Sequence, residues 1–279
     1  MRFAKLHGTG NDFVLIDARE LERDWSSLAK RICDRHFGIG ADGLILVLPS
    51  NVAHLRMRMF NPDGTESEMC GNGVRCFVKF AVEGGIATLE HETLRVETLA
   101  GVLPAEAAGS GGRVESVRVG MGQPRFAPQE IPVAVEAEPP ITKLPLSVDG
   151  RQIAVTCLSM GNPHAVYLSD EPVAAFPLET IGPKIERHDL FPKRVNFAVA
   201  RVLSRDRIEA RVWERGAGAT LACGSGASAV MVAAHLAGVV DNRAEIRLPG
   251  GSLTLEWDGQ GDVFLTGPAV EVFAGEWPE

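Results

Sequence analysis

The sequence has neither a long hydrophobic run nor a cluster of positive charge. Nowhere do uninterrupted apolar residues approach the roughly 18 that a membrane-spanning helix needs. The first residues, MRFAKLHGTGND, reach glycine and charge too early for a secretory signal. The net charge is −8, and no stripe of Lys and Arg offers the surface that nucleic acids or anionic membranes bind. We therefore expect a cytoplasmic protein with a small-molecule partner, and neither a nucleic-acid nor a membrane partner.

Cysteine is scarce, and its spacing fits neither a disulfide framework nor a metal site. An odd number of cysteines in a chain without an export signal argues against paired disulfides. No Cys-x-x-Cys motif occurs, and no Cys/His set has the spacing of a zinc finger. Each thiol is therefore expected to be a buried apolar group or a nucleophile or acid–base group. The five thiols are Cys33, Cys70, Cys76, Cys157 and Cys223.

The chain of 279 residues contains an internal repeat, and its composition, 45% hydrophobic and 23% charged, is typical of a soluble enzyme. RMFNPDGTESEMCGNG, from Arg58, aligns with RVWERGAGATLACGSG, from Arg211, and each arginine lies twelve residues before the cysteine. Farther upstream, GNDFVLID at Gly10 aligns with GNPHAVYL at Gly161. The order of the parts is the same in both halves, which predicts a duplicated chain.

A proline-rich segment separates the two halves. RFAPQEIPVAVEAEPPITKLP, residues 125–145, holds five prolines and has little periodicity, so we interpret it as the junction, part of which could be an edge strand. The predicted division is 1–124 for the half that carries Cys70, 125–145 for the junction and 146–279 for the half that carries Cys223.

Each half is predicted to combine short strands with one core helix. HLRMRMF (54–60) and RIEARVW (207–213) alternate apolar and polar residues, which is typical of half-buried strands. GNGVRCFVKFAVEGG (71–85) and GSGASAVMVAAHLAG (224–238) are typical of helices, and the second is so apolar that we expect it to be buried. The pattern predicts an α+β fold.

Both predicted helices begin directly after the cysteine of a Cys-Gly-x-Gly motif. Glycine allows a ligand to approach the main chain closely, and the first amides of a helix attract a carboxylate or a thiolate. One such loop is equally compatible with a glycine-rich helix start beside a buried cysteine. Two copies, in halves related by a pseudo-twofold, would place one thiol on each face of a bound α-carbon. One thiolate could then remove the α-proton while the other thiol protonates the opposite face.

Stereoinversion of this kind needs groups that stabilise charge and move protons. We expect the carboxylate to be held by backbone amides as negative charge builds on it. His164 and Glu214 lie in or beside the repeated segments and could accept protons from the thiols, although each alone is more often a satisfied histidine or a solvated carboxylate. The candidate amides are those of Gly71, Asn72, Gly224 and Ser225.

Six motifs together resemble the diaminopimelate epimerases over essentially the whole chain. They are HGTGNDFVLID, FGIGADGLILV, FNPDGTESEMCGNGVRCF, SMGNPHAV, RVNFAVA and ERGAGATLACGSGASA. Enzymes of this family interconvert LL- and meso-diaminopimelate without pyridoxal phosphate or metal, on the route to lysine and peptidoglycan. The resemblance implies this activity, no cofactor and a homodimer. It also implies two pseudo-symmetric domains, each a strongly curved, mostly antiparallel sheet around a central helix.

The resemblance also implies residue roles. Cys70 and Cys223 become the two acid–base thiols, assisted by His164 and Glu214. The four amides named above hold the carboxylate of the reacting centre. A second amino-acid group at the far end of the substrate suits Arg215 for its carboxylate and Glu214 for its ammonium. The positions that match substrate contacts are Asn11, Asn61, Asn162, Asn196, Glu214 and Arg215.

Two residues differ from the pattern of the family, and two other functions are possible. Gly43 replaces a glutamine found in some members and Ala219 a glutamate found in many, so we expect altered substrate contacts rather than lost activity. A proline racemase-like enzyme would share the two-thiol chemistry, but its substrate has one charged end. A thiol redox switch or binding module would pair the cysteines, yet neither loop contains Cys-x-x-Cys.

Overall fold

The computed structural model describes residues 1–278, and Glu279, the last residue of the predicted second half, lies outside them. The first part of the chain contains β1 (Arg2–Gly8), β2 (Asn11–Asp17), α1 (Trp25–Ile32), β3 (Gly43–Leu48), β4 (Leu55–Phe60), β5 (Glu66–Ser67), α2 (Gly71–Glu83), β6 (Thr93–Thr98), β7 (Gly101–Ser110) and β8 (Arg113–Gly120). The second part contains β9 (Ile141–Val148), β10 (Arg151–Ser159), β11 (Pro163–Leu168), α3 (Leu178–Glu186), β12 (Asn196–Ser204), β13 (Arg207–Glu214), β14 (Gly218–Thr220), α4 (Gly224–Leu236), β15 (Arg243–Leu248), β16 (Gly251–Glu256), β17 (Phe264–Gly267) and β18 (Val270–Glu276).

The chain forms two compact units. Unit 1 contains Met1–Gly120 together with the chain from Thr266 onward, and unit 2 contains Met121–Leu265. The predicted junction, 125–145, lies inside unit 2, and its last residues belong to β9. The prediction placed the C-terminal strand β18 in the second half, whereas in the structure β18 pairs with β1 in unit 1. A pairing between the two ends of a chain leaves no local pattern in the sequence.

In unit 1 a mixed, mostly antiparallel sheet surrounds α2. β1 pairs antiparallel with β18 and β2, β2 runs parallel to β3, β3 pairs antiparallel with β4, and β4 runs parallel to β6. β6, β7 and β8 continue as an antiparallel meander. The residues of α2 from Gly71 to Val78 are all buried, because the helix packs against β1, β2, β7 and β8. Helix α1 covers other strand residues, including Val14, Ile16 and Leu44.

Unit 2 repeats this pairing order around α4. β10 and β11 pair antiparallel, β11 and β12 run parallel, β12 and β13 pair antiparallel, β13 and β15 run parallel, and β15 and β16 pair antiparallel. The short strand β14 lies antiparallel to β13, as β5 does to β4. The predicted α+β fold, with a mostly antiparallel sheet around one helix in each half, is confirmed. The duplicated sequence thus encodes a duplicated topology.

The predicted strands and helices also agree with the structure. HLRMRMF corresponds to β4 and RIEARVW to β13, while the two helices after the cysteines are α2 and α4. α4 is buried on nearly every side, because alanine, glycine and serine let the surrounding strands approach closely. Within residues 1–278 the structure contains no helix long and apolar enough to span a membrane.

Candidate active site

In unit 1, Cys70 caps the start of α2. Its backbone is extended (φ −141°, ψ 117°), and its carbonyl accepts the N–H of Val74 at 2.8 Å, which is the first helical hydrogen bond. Cys70 is partly exposed, while Gly71 and Asn72 behind it are buried. A side chain at Gly73 would lie 3.0 Å from Cδ1 of Ile45, so glycine there lets the helix start pack closely on β3. The loop therefore presents a thiol at the positive end of a buried helix.

Two predicted substrate contacts lie elsewhere in unit 1. Asn11 begins β2, and its side-chain oxygen is buried without a hydrogen-bond partner in the structure. A buried acceptor in this state is costly and is suited to receive a donor from a ligand. The amide of Asn61 follows β4 and donates to Oγ1 of Thr65 at 3.0 Å. Asn61 is therefore engaged in its own turn.

In unit 2, Cys223 occupies the equivalent place at the start of α4. Its backbone is also extended (φ −127°, ψ 115°), and its Sγ accepts the N–H of Gly226 at 3.3 Å. Oγ of Ser225 lies 3.5 Å from the same sulfur. Unlike Cys70, Cys223 is buried, with 5% exposure.

The surroundings of Cys223 favour the protonated thiol. Burial raises the pKa of Cys223 well above its ordinary value, and the negative charge of Glu214 raises it further. The hydrogen bonds from Ser225 and from the amide of Gly226 act in the opposite direction. Oε1 of Glu214 accepts a hydrogen bond of 2.7 Å from Oγ1 of Thr220, which fixes the carboxylate in place. A thiol beside a held carboxylate can release its proton to that carboxylate.

A chain of polar side chains connects His164 to the Cys223 loop. Nε2 of His164 lies 2.9 Å from Oδ1 of Asn162, and Nδ2 of Asn162 donates to Oγ of Ser225 at 3.2 Å. His164 is fully buried, and its Nδ1 has no hydrogen-bond partner among the described residues. Burial, together with the positive charge of Arg215, lowers the pKa of His164 to about 3. The imidazole is therefore neutral at physiological pH.

Asn196 holds the turn that carries Glu214 and Arg215. It lies beside His164 in the parallel pairing of β11 and β12, and its Oδ1 accepts the N–H of Arg215 at 2.8 Å. The guanidinium of Arg215 is exposed and donates to the carbonyl of Lys193 at 3.2 Å. The structure thus brings seven predicted residues of unit 2 into one neighbourhood: Asn162, His164, Asn196, Glu214, Arg215, Cys223 and Ser225.

Two buried charged residues beside these loops, Arg75 and Glu186, were not predicted from the sequence. Arg75 lies in the first turns of α2. The motif CGNGVRC contains it, so the sequence did hold a signal that could have identified it. Glu186, at the end of α3, accepts Nε1 of Trp213 at 2.8 Å and the N–H of Gly216 at 3.2 Å, so it braces both sides of the Glu214–Arg215 turn. Glu186 lies outside every motif, and no local signal identifies it.

The remaining cysteines and the two departures have simple structural explanations. Burial raises the pKa of the Cys33, Cys76 and Cys157 thiols to about 12, so they are buried apolar groups rather than acids or bases. A Cβ at Gly43 would approach the carbonyl oxygen of Phe60 to 3.0 Å, so a longer side chain there needs the strand to shift. Ala219 is exposed on β14.

Among residues 1–278, no group of three or more His, Cys, Asp or Glu is arranged to hold a metal ion.

The sequence matches a known protein family over almost its whole length. The family model "Diaminopimelate epimerase" matches residues 3–127 and 156–272. A diaminopimelate epimerase of Moorella thermoacetica is 50% identical over 281 residues, which cover 100% of this chain and 99% of the relative.

Two solved structures resemble the fold. A phenazine biosynthesis protein of the PhzF family from Bacillus anthracis superposes with a TM-score of 0.71 at 18% identity, covering 100% of this chain and 99% of that protein. A probable proline racemase from Agrobacterium radiobacter gives a TM-score of 0.71 at 17% identity, with 99% and 92% covered. At such low identity these two likenesses concern the fold alone.

Proposed function

The chain belongs to the diaminopimelate epimerase family, and we propose that it interconverts LL- and meso-2,6-diaminopimelate. The observation that carries the mechanism is the occurrence, in both units, of a cysteine with extended backbone at the N-cap of the central buried helix. The reaction inverts one α-carbon and needs one acid–base group on each of its faces. Two cysteines at equivalent places in a duplicated fold supply such a pair.

In the proposed mechanism, one cysteine is a thiolate and the other a thiol. The thiolate takes the α-proton, and the thiol gives its proton to the opposite face of the planar carbanion. The helix starts at Gly71–Asn72 and Gly224–Ser225 hold the carboxylate while negative charge accumulates on it. The raised pKa of Cys223 supports the thiol role for this residue when Cys70 is the base.

His164 and Glu214 assist by accepting protons. The contact between Glu214 and Cys223 supports a direct transfer, because the carboxylate lies beside the thiol that must become a thiolate in the reverse direction. His164 is neutral and its Nδ1 has no partner among the described residues, so this nitrogen can accept a hydrogen bond from a donor in the site. Both groups are buried or held by other side chains, which keeps them oriented between turnovers.

The far end of the substrate is a second amino acid, which we place on the charged and amide side chains. Arg215 binds the distal carboxylate and Glu214 the distal ammonium, since they carry the matching charges. The unpartnered Oδ1 of Asn11 can also accept from an ammonium group. Asn162 and Asn196 contribute chiefly by holding their neighbours. The side-chain amide of Asn61 donates to Thr65, and its substrate contact stays a prediction.

Isotope exchange tests the two-thiol mechanism. Starting from unlabelled LL-diaminopimelate in heavy water, the meso product formed early should carry deuterium at the inverted carbon, while recovered substrate carries almost none. This follows because the proton removed on one face is not the proton returned on the other. Early product that is largely undeuterated would eliminate two-base inversion. Parallel assays with proline and with lysine should show little turnover, and efficient proline inversion would support the racemase alternative.

Removal of each thiol tests the residue assignment. Cys70→Ser and Cys223→Ser should each lose most of their activity, since an alcohol is a far weaker acid than a thiol. Cys157→Ser is the matched control, because Cys157 is buried on β10 and has no part in the mechanism. Near-normal activity in either of the first two variants would remove that residue from the proposed pair.

We also propose that the enzyme is a homodimer that acts in the cytoplasm. Strand β18 leaves Val270, Val272 and Phe273 substantially exposed, which is an apolar surface suited to a second copy. Sedimentation analysis of the protein and of a Val272→Lys variant tests this surface. A monomer in both cases would contradict the dimer.

A further inference from the structure

Arg75 is a fully buried cation beside the Cys70 loop. Among the described residues it is the largest side chain that is fully buried, with 0% exposure. Its guanidinium points back toward the start of α2. Nη1 donates to Oδ1 of Asn72 at 2.9 Å and to the carbonyl of Gly71 at 3.4 Å. Nη2 donates to Oγ1 of Thr9 at 3.2 Å, and Nε to the carbonyl of Pro268 at 3.1 Å. Every nitrogen of the guanidinium is therefore engaged, and all of its acceptors are neutral.

No carboxylate among residues 1–278 forms an ion pair with Arg75, although the neighbouring cations do have such partners. Lys79, on the same helix, pairs with Glu83 at 2.6 Å. Lys5 on β1 pairs with Asp12 on β2, also at 2.6 Å. Glu68 precedes the loop but is exposed. A buried charge without a counter-charge is strongly unfavourable, so the structure around Arg75 calls for an anion.

The position of Arg75 increases this requirement. The start of a helix already carries partial positive charge, and the guanidinium adds a full charge at the same end. Two thiols interact with Arg75 electrostatically, those of Cys70 and Cys76, and a negative charge on either favours the guanidinium. Burial raises the pKa of Cys76 to about 12, so that thiol stays neutral. Cys70 is partly exposed and is the remaining candidate for the anion.

We propose that Arg75 is a positioning residue that keeps Cys70 as a thiolate in the resting enzyme. This inference rests on the proposed role of Cys70 as an acid–base group. Arg75 acts through Cys70 and the helix start and does not touch the substrate, because it is fully buried and each of its three guanidinium nitrogens already donates to the protein. The surroundings of the two thiols then differ: Cys70 interacts electrostatically with a buried cation, whereas Cys223 is buried beside the carboxylate of Glu214.

The pH dependence of alkylation measures this directly and needs no substrate. Iodoacetamide reacts with the thiolate, so the rate at Cys70, followed by mass spectrometry of its peptide, reports the pKa of that thiol. In the unmodified protein the alkylation pKa of Cys70 should lie below that of a free cysteine. Arg75→Met should return this pKa to about 8.5, the value of a free cysteine, and should slow alkylation of Cys70 at pH 7 by about tenfold or more, because only about 3% of such a thiol is ionised at that pH. Arg75→Lys keeps the charge and should retain most of the wild-type rate.

Matched controls separate an electrostatic role from a structural one. Lys79→Met removes a cation from the same helix, but one that a carboxylate already balances, so the alkylation pKa of Cys70 should not change. The alkylation pKa of Cys223 should be unaffected by Arg75→Met. The proposal is overturned if Arg75→Met and Arg75→Lys give the same Cys70 profile. If Arg75→Met does not fold, a wild-type pKa at or above that of free cysteine overturns it equally.

These outcomes are independent of the proposed function. A low, Arg75-dependent pKa of Cys70 in a protein that fails to invert diaminopimelate would leave this inference standing and contradict the activity. Normal epimerase activity with a Cys70 pKa equal to that of free cysteine would support the activity and overturn this inference.

Discussion

The side-chain oxygen of Asn196 accepts the backbone N–H of Arg215 at 2.8 Å. Asn196 is 2% exposed on β12, and Arg215 follows the last residue of β13. The bond therefore ties the turn that carries the two charged side chains to a rigid strand. Asn196, expected to contact the substrate itself, thus holds two residues that we propose bind the distal end of the substrate.

Asn196→Leu should destabilise the protein and impair the site. The substitution keeps the branched shape but removes the acceptor, so the unfolding free energy should fall by about 1–3 kcal/mol. The catalytic efficiency, kcat/KM, should fall as well, because Glu214 and Arg215 lose their fixed positions. Asn242→Leu is the control: its oxygen lies 3.1 Å from Nε2 of His235 at an exposed site, and its loss should cost less than about 0.5 kcal/mol. Urea denaturation of both variants provides the comparison, and equal losses would contradict this interpretation.

Acid should destabilise the protein through His164. Because the pKa of His164 is about 3 in the folded state, the histidine is neutral in both states above about pH 6.5 and contributes no pH dependence there. As the pH falls below that value, only the unfolded state takes up the proton. Stability should then decrease by about 1.4 kcal/mol per pH unit toward pH 3.

Two variants isolate this contribution. His164→Gln should lack that part of the acid sensitivity between pH 7 and pH 5, while His36→Gln, at an exposed position, should retain it. NMR titration of the wild-type imidazole gives an independent check. A resonance of His164 that titrates near pH 6.5 would refute the expected shift.

Glu214→Gln should make Cys223 more reactive. The negative charge of Glu214 is second to burial among the causes that raise the pKa of Cys223, so its removal should lower that pKa. Alkylation of Cys223 at neutral pH should become faster even though catalysis becomes slower. Glu179→Gln removes an exposed carboxylate that pairs with Arg211 and should leave the alkylation rate unchanged. A slower reaction at Cys223 in Glu214→Gln would contradict the assigned contact.

Arg215→Met should act on selectivity more than on chemistry. The proposed distal carboxylate loses its charged partner, so KM for diaminopimelate should rise by about tenfold or more. Any residual activity toward lysine, which lacks that carboxylate, should change little. Arg207→Met alters an exposed arginine at the other end of β13 and serves as the control. Equal effects on both substrates would show that Arg215 does not bind the distal carboxylate of diaminopimelate.

Oxidation should join Cys70 to Cys223 and abolish activity. The proposed mechanism requires two thiols that can reach the same carbon, and such thiols are also close to disulfide range, so reductant should restore the enzyme. Peptide mapping of the inactive form identifies the linked pair. A bond that involves Cys33, Cys76 or Cys157 instead would argue against the proposed pair.

Much of the fold and part of the site are determined by local sequence. The alternation in HLRMRMF and RIEARVW fixes β4 and β13, and the Cys-Gly-x-Gly loops fix where α2 and α4 begin. Periodicity and helix starts depend on neighbouring residues, so a single sequence is enough to show them. The repeat of these signals predicted a duplicated chain with the same order of parts in both halves.

Tertiary structure decided everything that depends on burial and on distant partners. His164 is neutral because strands and α4 enclose it. The hydrogen-bond acceptors around the Arg75 guanidinium in residues 1–278 are all neutral, and one of them, Pro268, lies far away in the sequence. Strand β18 joins unit 1 because it pairs with β1 across nearly the whole length of the chain. The local sequence pattern specifies which residues form a strand or a helix. Burial and long-range strand pairing instead depend on segments that are far apart in the sequence.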